Sequence, residues 1–145
     1  MEIDRVNLAI ISIRKVQENY PDIPKKFRQV IELIIYAYTQ LSFQKCVVCE
    51  ITNKSNCEPL EKHHVAGRTH YPDSIPVCVS CHNRLTEKQK KWQNDLNDER
   101  LRLASYFDGI RDLFELLFEF TNEEYLAVLV KEFTNRAWSI RNSSR

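Results

Sequence analysis

Four cysteines arranged as two Cys-x-x-Cys pairs could bind a metal ion. Cys46 and Cys49 form one pair, Cys78 and Cys81 form the other, and about 28 residues separate them. Thiolates from two such turns can surround one tetrahedral zinc ion and leave no coordination position open, so the zinc would be structural. Such binding, worth about 10 kcal/mol or more in small zinc motifs, stabilises the fold itself. The alternative is that one pair is incidental.

Three histidines lie close to the cysteine pairs in the sequence and could take part in catalysis. His63 and His64 are adjacent, and His82 directly follows the second pair. Neighbouring residues on a strand point to opposite faces, so His63 and His64 cannot both face one metal ion in a regular strand. An imidazole with a pKa of about 6.5 is mostly neutral near pH 7 and can accept a proton. We therefore expect one to bind a cation and the other to act as a base, the alternative being ordinary surface or core histidines.

The segment from Cys46 to Thr86 resembles the HNH endonuclease family, whose members are also called ββα-metal or His-Me finger nucleases. The resemblance rests on the run HHVAGR followed by a Cys-x-x-Cys-His turn, and it fits the subset whose core is stapled by four cysteines. It covers less than a third of the chain. It implies a metal-dependent endonuclease that hydrolyses phosphodiester bonds in nucleic acid, expected to be DNA, and leaves 5′-phosphate and 3′-hydroxyl ends.

The resemblance also implies a role for each site residue. His63 and His82 correspond to the ligands of a catalytic divalent metal (Mg²⁺, Mn²⁺, Ni²⁺ or Zn²⁺), and His64 corresponds to the general base. Arg68 is expected to contact phosphate, with an ordinary turn charge as the alternative. Asp73 occupies the middle position of the motif, usually Asn. Aspartate accepts a hydrogen bond but cannot donate one as Asn does, so Asp73 either raises the pKa of His64 or only caps the turn. The family's usual further ligand after the last histidine is absent, so water would complete the metal shell.

Two other residues of reactive type are expected to play no part. Cys57, the fifth cysteine, is predicted to be a free thiol in a loop, with a substitute-ligand role as the alternative. His70 is predicted to lie in the loop after the first strand, with a substrate contact as the alternative.

The charge balance restricts how the chain could bind nucleic acid. A net charge of +1 over 145 residues argues against binding a polyanion through bulk charge, so any contact must come from a local patch. The cations that surround the motif are Lys62, Arg68, Arg84, Lys88, Lys90 and Lys91. The alternative is that these residues form an ordinary solvated helix face. The segment that follows is acidic.

The remaining pattern predicts a mainly α fold with a small zinc-stapled ββα-metal (HNH) core, flanked by N- and C-terminal helices. Only two glycines occur, which suits long helices. The predicted divisions are an N-terminal helical segment, 1–44, the nuclease core, 45–97, and a C-terminal helical segment, 98–145, able to pack as one compact domain. A helix from about 103 to 120 is apolar nearly all round and must be buried.

Boundaries within the core follow from turn and capping signals. Val65 is predicted on a first strand and Ile75 to Val77 on its antiparallel return. A capping-box pattern at Thr86 predicts the start of the following helix there or nearer Cys81, and the same pattern at Thr121 predicts the start of the last helix.

No leader or membrane segment is predicted. Met1 to Ile13 alternates charged and apolar residues, and no apolar run approaches the length of a membrane span. A cytoplasmic location is therefore expected, where Cys-x-x-Cys pairs bind metal more often than they form disulfides. The competing interpretation is a non-catalytic zinc-ribbon module that binds nucleic acid or a regulatory partner. Under either interpretation the helical flanks could form a homodimer or bind a larger protein.

Overall fold

The computed structural model describes residues 4–20, 23–39, 45–54, 59–67, 71–92 and 98–143. These ranges contain six helices and one two-stranded antiparallel sheet. In chain order the elements are α1 (Arg5–Gln17), α2 (Pro24–Thr39), α3 (Val47–Ile51), β1 (Leu60–His64), β2 (Ser74–Cys78), α4 (Val79–Gln89), α5 (Glu99–Thr121) and α6 (Glu124–Asn142). The expectation of a mainly helical chain with a small ribbon is confirmed.

The ribbon pairs β1 with β2 so that His63 lies opposite Ile75 and His64 opposite Ser74. The prediction that Val65 belongs to the first strand is wrong, because the strand ends one residue earlier. The chain turns at this point: the Val65 N–H donates to the Asp73 carbonyl at 3.0 Å, and the Gly67 N–H donates to the His64 carbonyl at 3.1 Å. Val65 is nevertheless buried, so its side chain contributes to the core from the turn.

Helix α4 begins at Val79, seven residues before the capping box predicted at Thr86. Cys78 is the N-cap residue, with extended backbone, and Cys81 lies in the first turn. Because residues three apart share one face of a helix, starting the helix here turns both sulfurs toward the same side. The Cys-x-x-Cys turn therefore determines where this helix starts, and Thr86 lies in its interior.

The last two helices form a hairpin with a two-residue connection. Helix α5 continues through Thr121 and ends at Asn122, which has a left-handed backbone (φ 56°), and Glu123 is the N-cap of α6. The predicted capping role of Thr121 is therefore wrong. Its hydroxyl donates to the Leu117 carbonyl at 2.9 Å, back along its own helix. Asparagine tolerates the left-handed conformation better than most residues, which lets α5 end and α6 begin at once.

Helix α5 is the centre of the core. Its side chains are buried around most of its circumference, as the apolar pattern predicted. Phe107 and Phe114 both pack against Phe133 of α6, with ring centroids 5.3 and 5.4 Å apart. Helices α1, α3 and α4 contact other parts of α5. Elements from before, within and after the ribbon therefore share one hydrophobic core. Across the described ranges, no helix combines the length and the apolar character needed to cross a membrane.

Candidate functional site

The four cysteines of the two Cys-x-x-Cys pairs converge on one point. Their sulfur atoms all lie within 4.8 Å of one another, and all four residues are buried. The Cys49 sulfur is 3.9 Å from those of both Cys78 and Cys81. Among the residues described, no other group of three or more possible ligands comes together in this way. We refer to Cys46, Cys49, Cys78 and Cys81 as the cysteine cluster.

The same local geometry presents both cysteine pairs. In each pair the first cysteine is an N-cap residue in an extended conformation, and the second lies in the first helical turn. The Cys49 N–H donates to the Cys46 sulfur at 3.4 Å. Free N–H groups at a helix start stabilise negative charge, so the beginnings of α3 and α4 favour thiolate ligands.

The electrostatics of the cysteine cluster fit a bound cation. A hydrogen bond from Cys81 lowers the pKa of Cys46 to about 4 despite burial. The same hydrogen bond, together with burial, raises the pKa of Cys81. Four buried thiols cannot all ionise beside one another without a countercharge. Four sulfur donors at this spacing suit a tetrahedral zinc ion, which would remove the conflict by binding all four as thiolates.

Two of the three predicted site histidines meet next to the cysteine cluster. His63 of β1 and His82 of α4 have ring centroids 5.6 Å apart in an edge-on arrangement. His63 is only 2% exposed. His82 directly follows Cys81, so the helix start that presents the sulfurs also presents this imidazole. The position of α4 against β1 therefore brings together residues that are 19 positions apart in the sequence.

A carboxylate that the sequence reasoning missed joins this pair. Glu61 Oε1 lies 2.9 Å from Nδ1 of His82. Glu61 and His63 are two residues apart on β1, and such residues point to the same face of a strand. That spacing was a usable signal, because it places a carboxylate on the face of the ribbon that carries His63. We refer to Glu61, His63 and His82 as the histidine site.

Burial keeps His63 neutral. Its removal from water, together with charge repulsion from the neighbouring His82 and His64, lowers its pKa to about 3. At neutral pH the ring therefore carries a lone pair on one nitrogen. An imidazole in this state can ligate a metal ion.

His64 lies next to the histidine site, at the end of β1 and with a half-buried side chain. Its backbone is fixed from two directions. Gln89 Nε2 donates to the His64 carbonyl at 2.9 Å, and the Gly67 N–H donates to the same oxygen at 3.1 Å. The contact from Gln89 ties the position of His64 to the C-terminal end of α4.

Asp73 has a partner that neither sequence-based role anticipated. Its side chain is fully buried and forms an ion pair with the Arg5 guanidinium of α1. Its backbone carbonyl accepts the Val65 N–H in the turn after His64. The carboxylate is thus held by an arginine from outside the motif, while the main chain braces the turn.

Part of the expected basic patch is neutralised within the molecule. Arg84 pairs with Glu119 at 2.8 Å, and Lys88 of the same helix pairs with Glu115 and Glu119 of α5. Lys90 pairs with Glu87 at 2.8 Å. The acidic segment noted in the sequence therefore lies against α4. Arg68, expected to contact phosphate, falls outside the described residues, as do Cys57 and His70, which were expected to play no part.

Comparisons of the chain with protein-family models, with curated proteins and with solved structures find no match. A functional proposal must therefore start from the residues themselves. The structure groups the four buried sulfurs of the cysteine cluster beside the histidine site. It also places His64 directly after His63 on β1.

Proposed function

We propose that this chain is a metal-dependent endonuclease of the HNH type that hydrolyses phosphodiester bonds, with DNA as the expected substrate. The observation that carries the proposal is the edge-on contact of His63 with His82, 5.6 Å apart, beside the cysteine cluster. In this arrangement the cysteine cluster would hold a structural zinc ion. The histidine site would hold a second, catalytic divalent cation.

The three residues of the histidine site have distinct tasks. His63 is neutral and offers a lone pair. Glu61 accepts the Nδ1 proton of His82, which leaves Nε2 of that ring free to ligate. A carboxylate that orients a metal-binding histidine in this way also raises the basicity of the ligand. Glu61 thus orients His82, and water would still complete the metal shell in place of the absent ligand.

His64 is the proposed general base. Its ring is half-buried rather than sealed from solvent, so a water molecule can reach it, and two hydrogen bonds fix its backbone. It takes the proton of the attacking water. A bound divalent cation neutralises the charge that builds on the phosphate and the leaving oxygen. The bond between phosphorus and the 3′ oxygen breaks, the departing oxygen takes a proton from solvent water, and the products are 5′-phosphate and 3′-hydroxyl ends. Arg68 is proposed to hold a phosphate oxygen.

The resemblance to HNH nucleases implies contact with the backbone of nucleic acid rather than with bases. Arg84 and Lys88 are already paired with glutamates of α5, and the whole chain carries a net charge of +1. These two cations of the expected basic patch are therefore already engaged within the molecule. Phosphate contacts carry no direct sequence information, so we expect low sequence specificity.

One observation favours a second candidate, a zinc-ribbon module that binds nucleic acid or a partner without cutting. Among the described residues, only the cysteine cluster gathers three or more ligand atoms within 4.8 Å. The histidine site is looser and has to close around a cation. A module without catalysis would need the structural zinc alone.

Incubating supercoiled plasmid with the zinc-loaded protein tests the proposal. Mg²⁺, Mn²⁺, Ni²⁺ or Zn²⁺ is added in turn, and His64→Ala is compared with Leu60→Ala, an exposed position on the same strand. We expect cutting by the wild type and by Leu60→Ala but none by His64→Ala, with one zinc per chain retained in all three. An intact plasmid with every cation would contradict nuclease activity. If gel-shift binding persisted in that case, the zinc-ribbon module would be the better account.

A further inference from the structure

Arg5 and Asp73 form a buried ion pair between the first helix and the ribbon. The two side chains are 5% and 0% exposed. Arg5 Nε lies 3.2 Å from Asp73 Oδ1 and 3.1 Å from Oδ2, and an Nη atom also donates to Oδ1. The residues are 68 positions apart. A planar guanidinium can grip a carboxylate through parallel hydrogen bonds in this way, whereas an ammonium cannot.

Aromatic rings enclose the same guanidinium. Its central carbon lies 4.2 Å from the ring centroid of Tyr71, 5.2 Å from that of Tyr38 and 5.9 Å from that of Tyr106. Burial by itself lowers the pKa of Arg5, but the hydrogen bonds and charge of Asp73 raise it above its usual value. Arg5 therefore stays charged, and contacts from α2, α5 and the chain before β2 restrict its position.

A short chain of contacts leads from this ion pair to His64. The Asp73 carbonyl accepts the Val65 N–H at 3.0 Å, and Val65 directly follows His64. The residue after Asp73, Ser74, lies opposite His64 in the ribbon. A displacement of Asp73 would therefore move both the turn after His64 and the strand beside it.

We infer that Arg5 is a positioning residue for His64, and that α1 is consequently a working part of the site rather than a separate flank. The inference rests on the proposed function in one respect only, the role of His64 as the base. Arg5 does not touch the reacting atoms. It holds the Asp73 carboxylate, which would otherwise be a buried charge without a counterion, and thereby keeps the turn after His64 in one position.

Variants at both residues, prepared as the full chain with zinc, test this role. Arg5→Lys keeps the positive charge but loses the planar guanidinium and its parallel hydrogen bonds. The double variant Arg5→Met with Asp73→Asn removes both charges, so that neither is left buried without a counterion. Arg14→Met is the control, since Arg14 is an exposed arginine on the same helix. Zinc content, the exchange rate of the Val65 amide proton and the kinetics of plasmid nicking are measured well below the melting temperature.

We expect the Arg5→Lys and double variants to retain one zinc per chain. The Val65 amide should exchange at least tenfold faster in both, and kcat should fall at least tenfold with KM within twofold of wild type. Arg14→Met should match wild type in every measurement. A lowered stability alone would not reduce kcat of the folded, zinc-loaded protein at an unchanged KM.

The outcomes separate this inference from the proposed function. The role of Arg5 would be overturned if the double variant showed the wild-type rate of Val65 amide exchange and the wild-type kcat. The proposed nuclease function would not be affected by that result. If the double variant does not fold, the Val65 exchange rate and the kcat of Arg5→Lys decide whether Arg5 positions His64. A wild-type protein that cuts nothing would refute the nuclease, whereas faster Val65 exchange in the Arg5 variants would still establish the coupling of α1 to the turn.

Discussion

Gly109, in the middle of α5, lies directly against the backbone carbonyl of Val65, in the turn that follows His64. A β-carbon at Gly109 would be 1.7 Å from the Val65 oxygen and 2.6 Å from the carbonyl carbon. A glycine inside a helix usually costs about 1 kcal/mol relative to alanine. Here it allows α5 to contact the main chain of the turn. A helix outside the motif therefore determines how closely that turn packs against the core.

Gly109→Ala should destabilise the protein, even though alanine is the better helix former. Helix propensity alone predicts a gain of about 1 kcal/mol, whereas overpacking against rigid backbone costs about 1–3 kcal/mol or more. We expect the overpacking to win because the nearest atoms belong to the main chain. Urea denaturation of the zinc-loaded protein measures the difference. Asn135→Ala, at an exposed position of α6, is the control for propensity, and a Gly109→Ala variant more stable than wild type would show that the close contact is absent.

Zinc analysis should find one tightly bound ion per chain. Cys49→Ser should lose that ion and much of its secondary structure, because the Cys49 sulfur lies within 3.9 Å of two of the other sulfurs and the binding energy is folding energy. Cys57→Ser is the matched control and should keep both the zinc ion and the secondary structure. Mass spectrometry for metal content and circular dichroism provide the readouts. Loss of zinc from the Cys57 variant alone would mean that the ligand set is wrong.

Stability without added divalent ions should fall as the solution is acidified. Burial, with the charges of His82 and His64, lowers the pKa of His63 from 6.5 to about 3. In the window between these values the unfolded chain binds a proton that the folded chain does not. The free energy of unfolding therefore rises with pH, by up to about 1.4 kcal/mol per pH unit.

Denaturation at several pH values from about 4 to 6, where the unfolded chain binds the proton and the folded chain does not, measures the slope. His63→Asn should flatten the profile, and His82→Asn should preserve most of it. An identical slope in His63→Asn and wild type would exclude His63 as the group responsible.

Glu61→Gln should weaken the second metal site without affecting the zinc. The carboxylate contacts His82 Nδ1 at 2.9 Å, and loss of such a supporting group usually reduces metal affinity about 10–100-fold. Calorimetric titration of the zinc-loaded protein with Mn²⁺ or Ni²⁺ measures this affinity. Glu87→Gln, an exposed carboxylate of α4, controls for the lost charge. Equal affinities in the two variants would remove Glu61 from the site.

Features set by short-range spacing could be predicted from the sequence. The cysteine pairs each span one helical turn, and the structure brings their sulfurs together. The apolar pattern of α5 predicted a buried helix for the same reason, since periodicity is a local property. The capping boxes at Thr86 and Thr121 gave wrong helix starts because tertiary packing overrides local capping signals. Helix α4 has to begin where it presents Cys81, and α5 has to extend far enough to pack along α6.

The support of the site could not be predicted in this way. Nothing near Arg5 in the sequence identifies Asp73 as its partner, because only the packing of α1 against the rest of the chain brings them together. The approach of Gly109 to Val65 likewise depends on how α5 crosses the turn. Glu61 is the exception, since its spacing from His63 on one strand was visible in advance.

The two-residue connection between α5 and α6 affects the order in which the molecule folds. A contact between neighbours in sequence closes a short loop at little entropic cost, whereas pairing Arg5 with Asp73 closes a loop of 68 residues. We therefore expect the C-terminal hairpin to form early and to serve as the surface on which the ribbon and α1 assemble. During synthesis on the ribosome, however, this hairpin emerges after α1 and the ribbon. Helix α1 therefore cannot dock, and Arg5 stays hydrated, until both the ribbon and the hairpin have been synthesised.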